Sequence, residues 1–333
     1  MCWTDEVVSF LSRPTAYPRE APRDVTVVET HLSFVFLTDA RAYKLKKAAV
    51  HDGLDLRSLE ARRRNAEAEV RLNRRLAPDV YLGVAPLVRD AAGRLALGAV
   101  REPGGAGDDA VDWLVVMRRL PADAMLDRRI RDGRVDEAEV RAFARRLVAF
   151  HARAERADRS GAEHRAFLAR GLAGDRRELS RPAFGLDRGQ VERVTADVAD
   201  RLEALGPVIE ARAAAGRLVE GHGDLRPEHV VLGPAAAVID CLEFDRALRL
   251  VDPADEVAYL ALECERLGAP AVGRWVIDEY RAAGDPLPPE LLGLYRGYRA
   301  CRRATLAAWH LLDPRADAEK WRGRAAEYLA LAA

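Results

Sequence analysis

Gly221-His222-Gly223-Asp224-Leu225-Arg226-Pro227-Glu228-His229-Val230-Val231-Leu232, followed after a short turn by Ala237-Val238-Ile239-Asp240-Cys241-Leu242-Glu243-Phe244-Asp245, carries the most specific pattern in the chain. Residues 230–232 and 237–239 are short β-prone runs, and Gly233-Pro234 between them is a strong turn signal, so the segment predicts a hairpin with polar groups at its base. Asp224 sits in a glycine-flanked polar turn. A carboxylate that accepts a hydroxyl proton and a second that holds Mg²⁺ need rigid, closely spaced supports, which a tight hairpin supplies. Asp224, His229 and Asp240 are therefore expected to converge as a phosphoryl-transfer centre. Taken singly, either Asp is better explained as a turn cap or a strand end. It is the whole string that points to chemistry.

The pattern His-x-Asp-Leu-x-Pro ahead of an apolar run resembles the catalytic loop of the protein-kinase-like superfamily. By this resemblance Asp224 is the catalytic base and Asp240 the metal-binding Asp, while His229 stands as a metal ligand where the family has Asn. Mg²⁺ prefers oxygen, so an imidazole there is a departure that bears on the second metal. His222-Gly223-Asp224-Leu225, with Ile239-Asp240 about sixteen residues later, is more similar to the aminoglycoside phosphotransferase branch than to protein kinases. The resemblance implies an α+β, protein-kinase-like two-lobed fold. Its N-lobe, residues 1–117, is a small antiparallel sheet with one long helix, and its C-lobe, 118–333, is larger and mainly helical. It also implies ATP and Mg²⁺ as cofactors, bound in the cleft, and a small-molecule hydroxyl acceptor.

The 333 residues are 49% hydrophobic and 32% charged, enough for a large core. Lys plus Arg and Asp plus Glu both total 53, so no net field draws the chain to nucleic acid or anionic lipid. No apolar run reaches the roughly 18 residues of a membrane span, and Met1-Cys2-Trp3-Thr4-Asp5-Glu6 lacks the regions of a secretory signal, so a cytoplasmic location is expected. Cys2, Cys241, Cys264 and Cys301 are far apart in sequence and suggest neither a disulfide framework nor a zinc site. Of 49 Arg and four Lys, the lysines Lys44, Lys46 and Lys47 are clustered, which implies that a compact ammonium is wanted there rather than a planar guanidinium.

Taken in order, residues 4–11 predict a short helix stopped by Pro14, and residues 25–29, 32–38 and 41–47 the start of an antiparallel sheet. Ala42-Tyr43-Lys44 is similar to the Ala-x-Lys of the kinase third strand, which implies that Lys44 reaches the nucleotide phosphates; Lys46 lies on the same strand face. The kinase glycine-rich loop is absent, and the turn Thr30-His31-Leu32-Ser33 is expected to replace it, with Ser33 and backbone amides contacting phosphate. Residues 56–76 predict the long helix, in which the resemblance makes Glu69 the partner of Lys44, with Glu67 as the alternative. Residues 84–88, 94–100 and 113–117 continue the sheet, and the glycines of 103–107 form a hairpin loop. Backbone groups of Arg118 and Leu120, at the family's hinge position, are expected to receive adenine.

From Asp136 the pattern turns helical, with Val140, Phe143, Ala144, Leu147 and His151 on one apolar stripe and His151 as a satisfied core residue. Residues 187–215 predict one long helix, and 253–267, 270–283, 288–312 and 315–331 four more. About a dozen residues separate Asp240 from the helix opened by Asp252-Pro253-Ala254-Asp255, too few for a protein kinase's peptide platform. Glu243, Asp245, Asp252 and Asp255 suit a cationic or polyhydroxylated acceptor, a sugar, amino sugar or aminoglycoside, and Arg226 adds positive charge near the γ-phosphate. The alternative is a catalytically degenerate nucleotide-binding or scaffolding module. Nucleic-acid binding is disfavoured because acids balance the arginines.

Overall fold

The computed structural model describes residues 3–30, 32–51, 54–105 and 109–332. They divide into two compact units, Met1–Ala124 with Ala237–Arg246, and Met125–Ala236 with Ala247–Ala333.

The first unit opens with helix α1 (Trp3–Leu11) and strands β1 (Thr26–Glu29), β2 (Ser33–Leu37), β3 (Arg41–Lys46), β4 (Val50–His51) and β5 (Leu54–Asp55). Helix α2 (Leu59–Asn73) and strands β6 (Tyr81–Arg89), β7 (Leu95–Leu97) and β8 (Ala110–Arg118) follow. Six strands form one antiparallel sheet in the order β1-β2-β3-β8-β6-β7. Val7 and Leu11 of α1 pack with Tyr17, Phe36, Leu45, Leu87 and Leu114 in a core that covers one sheet face. Ser58 caps α2 through the Ala61 amide at 3.1 Å. Ala66, Glu69, Val70 and Asn73 are buried at helical spacing, which puts a carboxylate on the helix's inner face.

The second unit contains α3 (Leu126–Arg131), α4 (Glu137–Arg153), α5 (Gly161–Leu179), α6 (Arg188–Ala204), α7 (Gly206–Ala214), β9 (Val219–Glu220) and β10 (Val230–Val231). β11 (Ala237–Val238) belongs to the first unit, and β12 (Leu250–Val251), α8 (Pro253–Arg266), α9 (Pro270–Ala282), α10 (Pro289–Trp309) and α11 (Ala318–Leu331) return to the second. β9 and β12 pair antiparallel, Val219 opposite Val251.

Three expectations are corrected here. The single helix over 187–215 is two, because Gly206-Pro207 interrupts it and Pro207 can only enter the first turn of a new helix. The division at 117/118 does not describe the packing. Segment 237–246 belongs with the sheet because the Asp240 amide donates to the Tyr81 hydroxyl (3.1 Å) and the Cys241 amide to Asn73 Oδ1 (2.9 Å). The strand over 94–100 shrinks to Leu95–Leu97. Cys241, Cys264 and Cys301 are buried free thiols, while Cys2, His31 and residues 106–107 of the glycine loop lie outside the described residues.

Candidate active site

In the first unit, Lys44 lies mid-strand in β3 between Val35 and Val115. Its Nζ is 2.9 Å from Glu69 Oε1 and 2.9 Å from Asp240 Oδ1. Lys46, two residues on and on the same face, places Nζ 2.6 Å from Glu69 Oε2 and 2.5 Å from Glu243 Oε1. The fully buried Glu69 thus holds both lysines, one on each oxygen. Lys46 is consumed by structure, being 3% exposed between two carboxylates, whereas Lys44 reaches Asp240, whose side chain is 46% exposed. Burial works against the Lys44 charge, but Asp240 and Glu69, then Glu243, outweigh it and hold the ammonium well above the ordinary lysine range. Burial likewise opposes the Glu69 charge, and Lys44 and Lys46 bring its carboxyl below the usual value.

Asp240 adopts a left-handed backbone conformation (φ +61°), a strained state that Asp tolerates better than most residues. The turn is held by Tyr81 and by Asn73, which itself donates to the Glu69 carbonyl at 2.9 Å, so the helix that carries Glu69 also fixes Asp240.

Ser33 opens β2 opposite Lys46 and is buried, and its hydroxyl has no hydrogen-bond partner among the described residues. Its amide is held by the Thr30 hydroxyl at 3.0 Å. The Arg118 amide is occupied by the Val80 carbonyl (2.8 Å), while half-buried Leu120 makes no backbone hydrogen bond among the described residues.

In the second unit, the loop from Gly221 to Arg226 is suspended from α8. Glu256, fully buried, accepts the His222 amide at 2.8 Å and the Gly223 amide on one oxygen, and its other oxygen lies 2.7 Å from His151 Nε2. His151 Nδ1 meets the Tyr280 hydroxyl at 2.5 Å, so both ring nitrogens of this core histidine are satisfied. Burial disfavours the Glu256 charge, yet the His151 contact and the loop amides bring its pKa down to about 2. Gly221 is obligatory: a Cβ there would stand 2.7 Å from Val251 Cγ2 and 2.8 Å from Glu256 Oε2. Gly223 has φ +87°, which glycine alone adopts without strain.

Asp224 Oδ1 accepts from the Tyr259 hydroxyl (3.1 Å) and Oδ2 from Arg226 Nη2 (2.9 Å). Burial alone would raise its pKa; Arg226 beside it, and after it His229, hold the carboxyl well below the usual carboxylate range. His229 Nδ1 donates to the Asp224 carbonyl at 2.8 Å, and its Nε2 lies 3.3 Å from Arg226 Nη2. With a carbonyl at one nitrogen and a guanidinium at the other, the imidazole braces the loop and presents no open lone pair to a cation. Arg226 also pairs with Glu228.

The acids assigned to the acceptor side are accounted for differently. Asp252 and Asp255 are buried; Asp252 is gripped through both oxygens by Arg212 (2.6 Å each) and Asp255 by Arg299 (2.7 Å each). Glu243 is bound to Lys46, and Asp245 alone of the four is exposed. An acid already chelated by a buried arginine has no charge to offer a cationic ligand.

No family model matches the chain. Proteins of Mycobacterium bovis and Mycobacterium tuberculosis, both described as uncharacterised, are 34% identical over 295 residues, covering 87% of this chain and 56% of each relative. The chain thus spans about half the length of the curated relatives it matches. Among solved structures, an aminoglycoside phosphotransferase in complex with GDP and kanamycin superposes with a TM-score of 0.56 at 16% identity, over 98% of this chain and 97% of that one. A choline/ethanolamine kinase family protein from Mesorhizobium loti gives a TM-score of 0.54 at 17% identity, over 98% and 94%.

The chain has the protein-kinase-like fold that these solved structures share.

Within this kinase-like fold the structure groups Lys44, Glu69 and Asp240 in the first unit, and Asp224, Arg226 and His229 in the second. Ser33 and Arg118 join neither set through their side chains. Tyr259, Glu256 and Arg299 were missed by sequence reasoning. The available signal was Asp255 and Glu256 four and three residues before Tyr259, a spacing that puts the three on one side of a helix.

Proposed function

We propose that the chain is an ATP- and Mg²⁺-dependent phosphotransferase that moves the γ-phosphate to a hydroxyl of a small molecule. The observation that carries this reading is the half-buried Lys44 ammonium held 2.9 Å from both Glu69 and the half-exposed Asp240, in a sheet of kinase-like fold. Such an ammonium is kept charged and aimed, ready to exchange a carboxylate for phosphate oxygens. Asp240 suits Mg²⁺, which takes one or two carboxylates together with phosphates and water; His229, closed at both nitrogens, does not. When bound, the metal neutralises phosphate charge. Asp224 receives the proton of the acceptor hydroxyl, the acceptor oxygen bonds to the γ-phosphorus, and the bond to the β–γ bridging oxygen breaks with its electron pair leaving on ADP. Tyr259 and Arg226 fix the Asp224 carboxylate in orientation.

The short connection from Asp240 to α8 favours a small acceptor over a protein. Similar structures bind GDP and kanamycin or belong to the choline/ethanolamine kinases, and a cytoplasmic location would supply nucleotide and Mg²⁺. Among the described residues no helix is long and apolar enough to cross a membrane. One observation favours the alternative of a non-catalytic nucleotide-binding module: the Arg226 pairing makes Asp224 a weak base.

Calorimetric titration of ATP with and without Mg²⁺ tests the reading. Wild type should bind in a metal-dependent manner and Asp240→Asn should lose that dependence. Absence of binding at millimolar ATP would sink it.

A further inference from the structure

Helices α8 and α10 pack against each other, and their facing residues form a ladder in the second unit. On α8, Asp255, Tyr259 and Glu263 succeed one another at four-residue spacing, and on α10 Arg299 and Arg303 do the same, so successive residues along each helix rise by about 6 Å. Arg299 closes the first rung on Asp255, donates to the Gly223 carbonyl at 3.2 Å, and stacks over the Tyr259 ring at 4.9 Å. Tyr259 reaches Asp224. Arg303 closes the next rung on Glu263 through Nε alone (3.1 Å).

This last rung is unbalanced. Glu263 is 1% exposed, and its carboxylate is shared by Arg303, by Arg266 Nε (2.9 Å) and by the Tyr328 hydroxyl (2.7 Å), so Arg303 has only a share of it. Nη1 and Nη2 of Arg303 have no acceptor among the described residues, although the side chain is only 22% exposed. Arg226 and Arg303 both act on Tyr259, and the charge of Arg226 opposes that of Arg303. Arg226 is already paired with Asp224 and Glu228, whereas Arg303, a helical turn from the Tyr259 contact, keeps its fork unfilled, which matches a bound oxyanion and mismatches a polyammonium acceptor.

We propose that the acceptor carries an oxyanion, a carboxylate or a phosphate, besides the hydroxyl that is phosphorylated, and that Arg303 holds this oxyanion one helical turn from the Asp224–Tyr259 contact. The hydroxyl part rests on the phosphotransfer reading; the anion site does not. The oxyanion is not consumed: the hydroxyl proton passes to Asp224, its oxygen takes the γ-phosphorus, and ADP departs with the bridging electron pair.

The test measures ADP release at saturating Mg·ATP with gluconate, glucose 6-phosphate, glucose, choline and kanamycin, alongside calorimetric binding of gluconate and glucose 6-phosphate. Turnover should be confined to an anionic acceptor, gluconate indicating a carboxylate site and glucose 6-phosphate a phosphate site. Arg303→Gln should raise KM for that acceptor about 10- to 100-fold with kcat little changed, as for a lost charged hydrogen bond, and Arg303→Lys should recover part of the loss. Preference for glucose, choline or kanamycin, with KM unmoved by Arg303→Gln, would overturn the proposal. Arg303-dependent binding of an anion without ADP release would keep the anion site and remove the phosphotransfer reading. Absence of anion binding to wild type would remove the anion site.

Discussion

His164 on α5 is 1% exposed, and neither of its ring nitrogens has a hydrogen-bond partner among the described residues. Burial is the main cause that lowers its pKa from 6.5 to about 4, with nearby Asp252 pulling the other way. The folded state therefore keeps it neutral where the unfolded chain protonates it. Because the folded pKa is depressed, the unfolded state binds the extra proton between pH 6.5 and about 4, and stability falls as pH falls through that window. The loss is about 3 kcal/mol by pH 4. Glu256, with a pKa of about 2 against 4.5, is lost in a separate, more acidic window. Denaturant unfolding of wild type and His164→Leu at pH 7, 5.5 and 4 separates them: the variant should show a flatter dependence above pH 4. An unchanged slope would remove His164 as the source.

At the scale of elements, the β9-to-β10 loop depends on a close approach that only Gly221 permits. Gly221→Ala would push a methyl against Val251 and Glu256, the residue that holds the His222 and Gly223 amides. The expected cost is about 1–3 kcal/mol of stability, as for other overpacked sites, with slower turnover because Asp224 is displaced. A variant as stable as wild type would show that the loop does not need this contact. The glycines, β3 and the helix of Glu69 were legible because turn chemistry and strand alternation are local signals. The division of α6 from α7 was missed although Gly206-Pro207 marks it, since charge periodicity runs through the break. Helix α5 was not delimited, although Ser160 and Glu163 have capping-box spacing. The fates of Asp252 and Asp255 were illegible for a different reason: their neutralising arginines stand 40 and 44 residues away in sequence, a tertiary fact that no local pattern encodes. Position 229 was read from its place in the motif, whereas the Arg226 guanidinium decides what its imidazole can do.

For the whole molecule, the phosphotransfer reading makes nucleotide binding and chemistry the work of different residues, and this predicts how heat stability responds to ligand. A ligand that binds only the folded state adds about 2.7 kcal/mol at a hundred times its Kd, which corresponds to a rise in Tm of a few degrees for a chain of this size. Mg·ATP should raise the Tm of wild type and of Asp224→Ala alike, while Asp224→Ala loses turnover by orders of magnitude. Lys44→Met should lose the ligand-induced rise. It should still fold, because Glu69 keeps Lys46 at 2.6 Å when Lys44 is removed and is not left as an unpaired buried charge. Thermal scans of the three proteins with and without Mg·ATP decide the matter. A ligand-induced rise that survives in Lys44→Met would take Lys44 out of the nucleotide site, and turnover that survives in Asp224→Ala would take Asp224 out of the role of base.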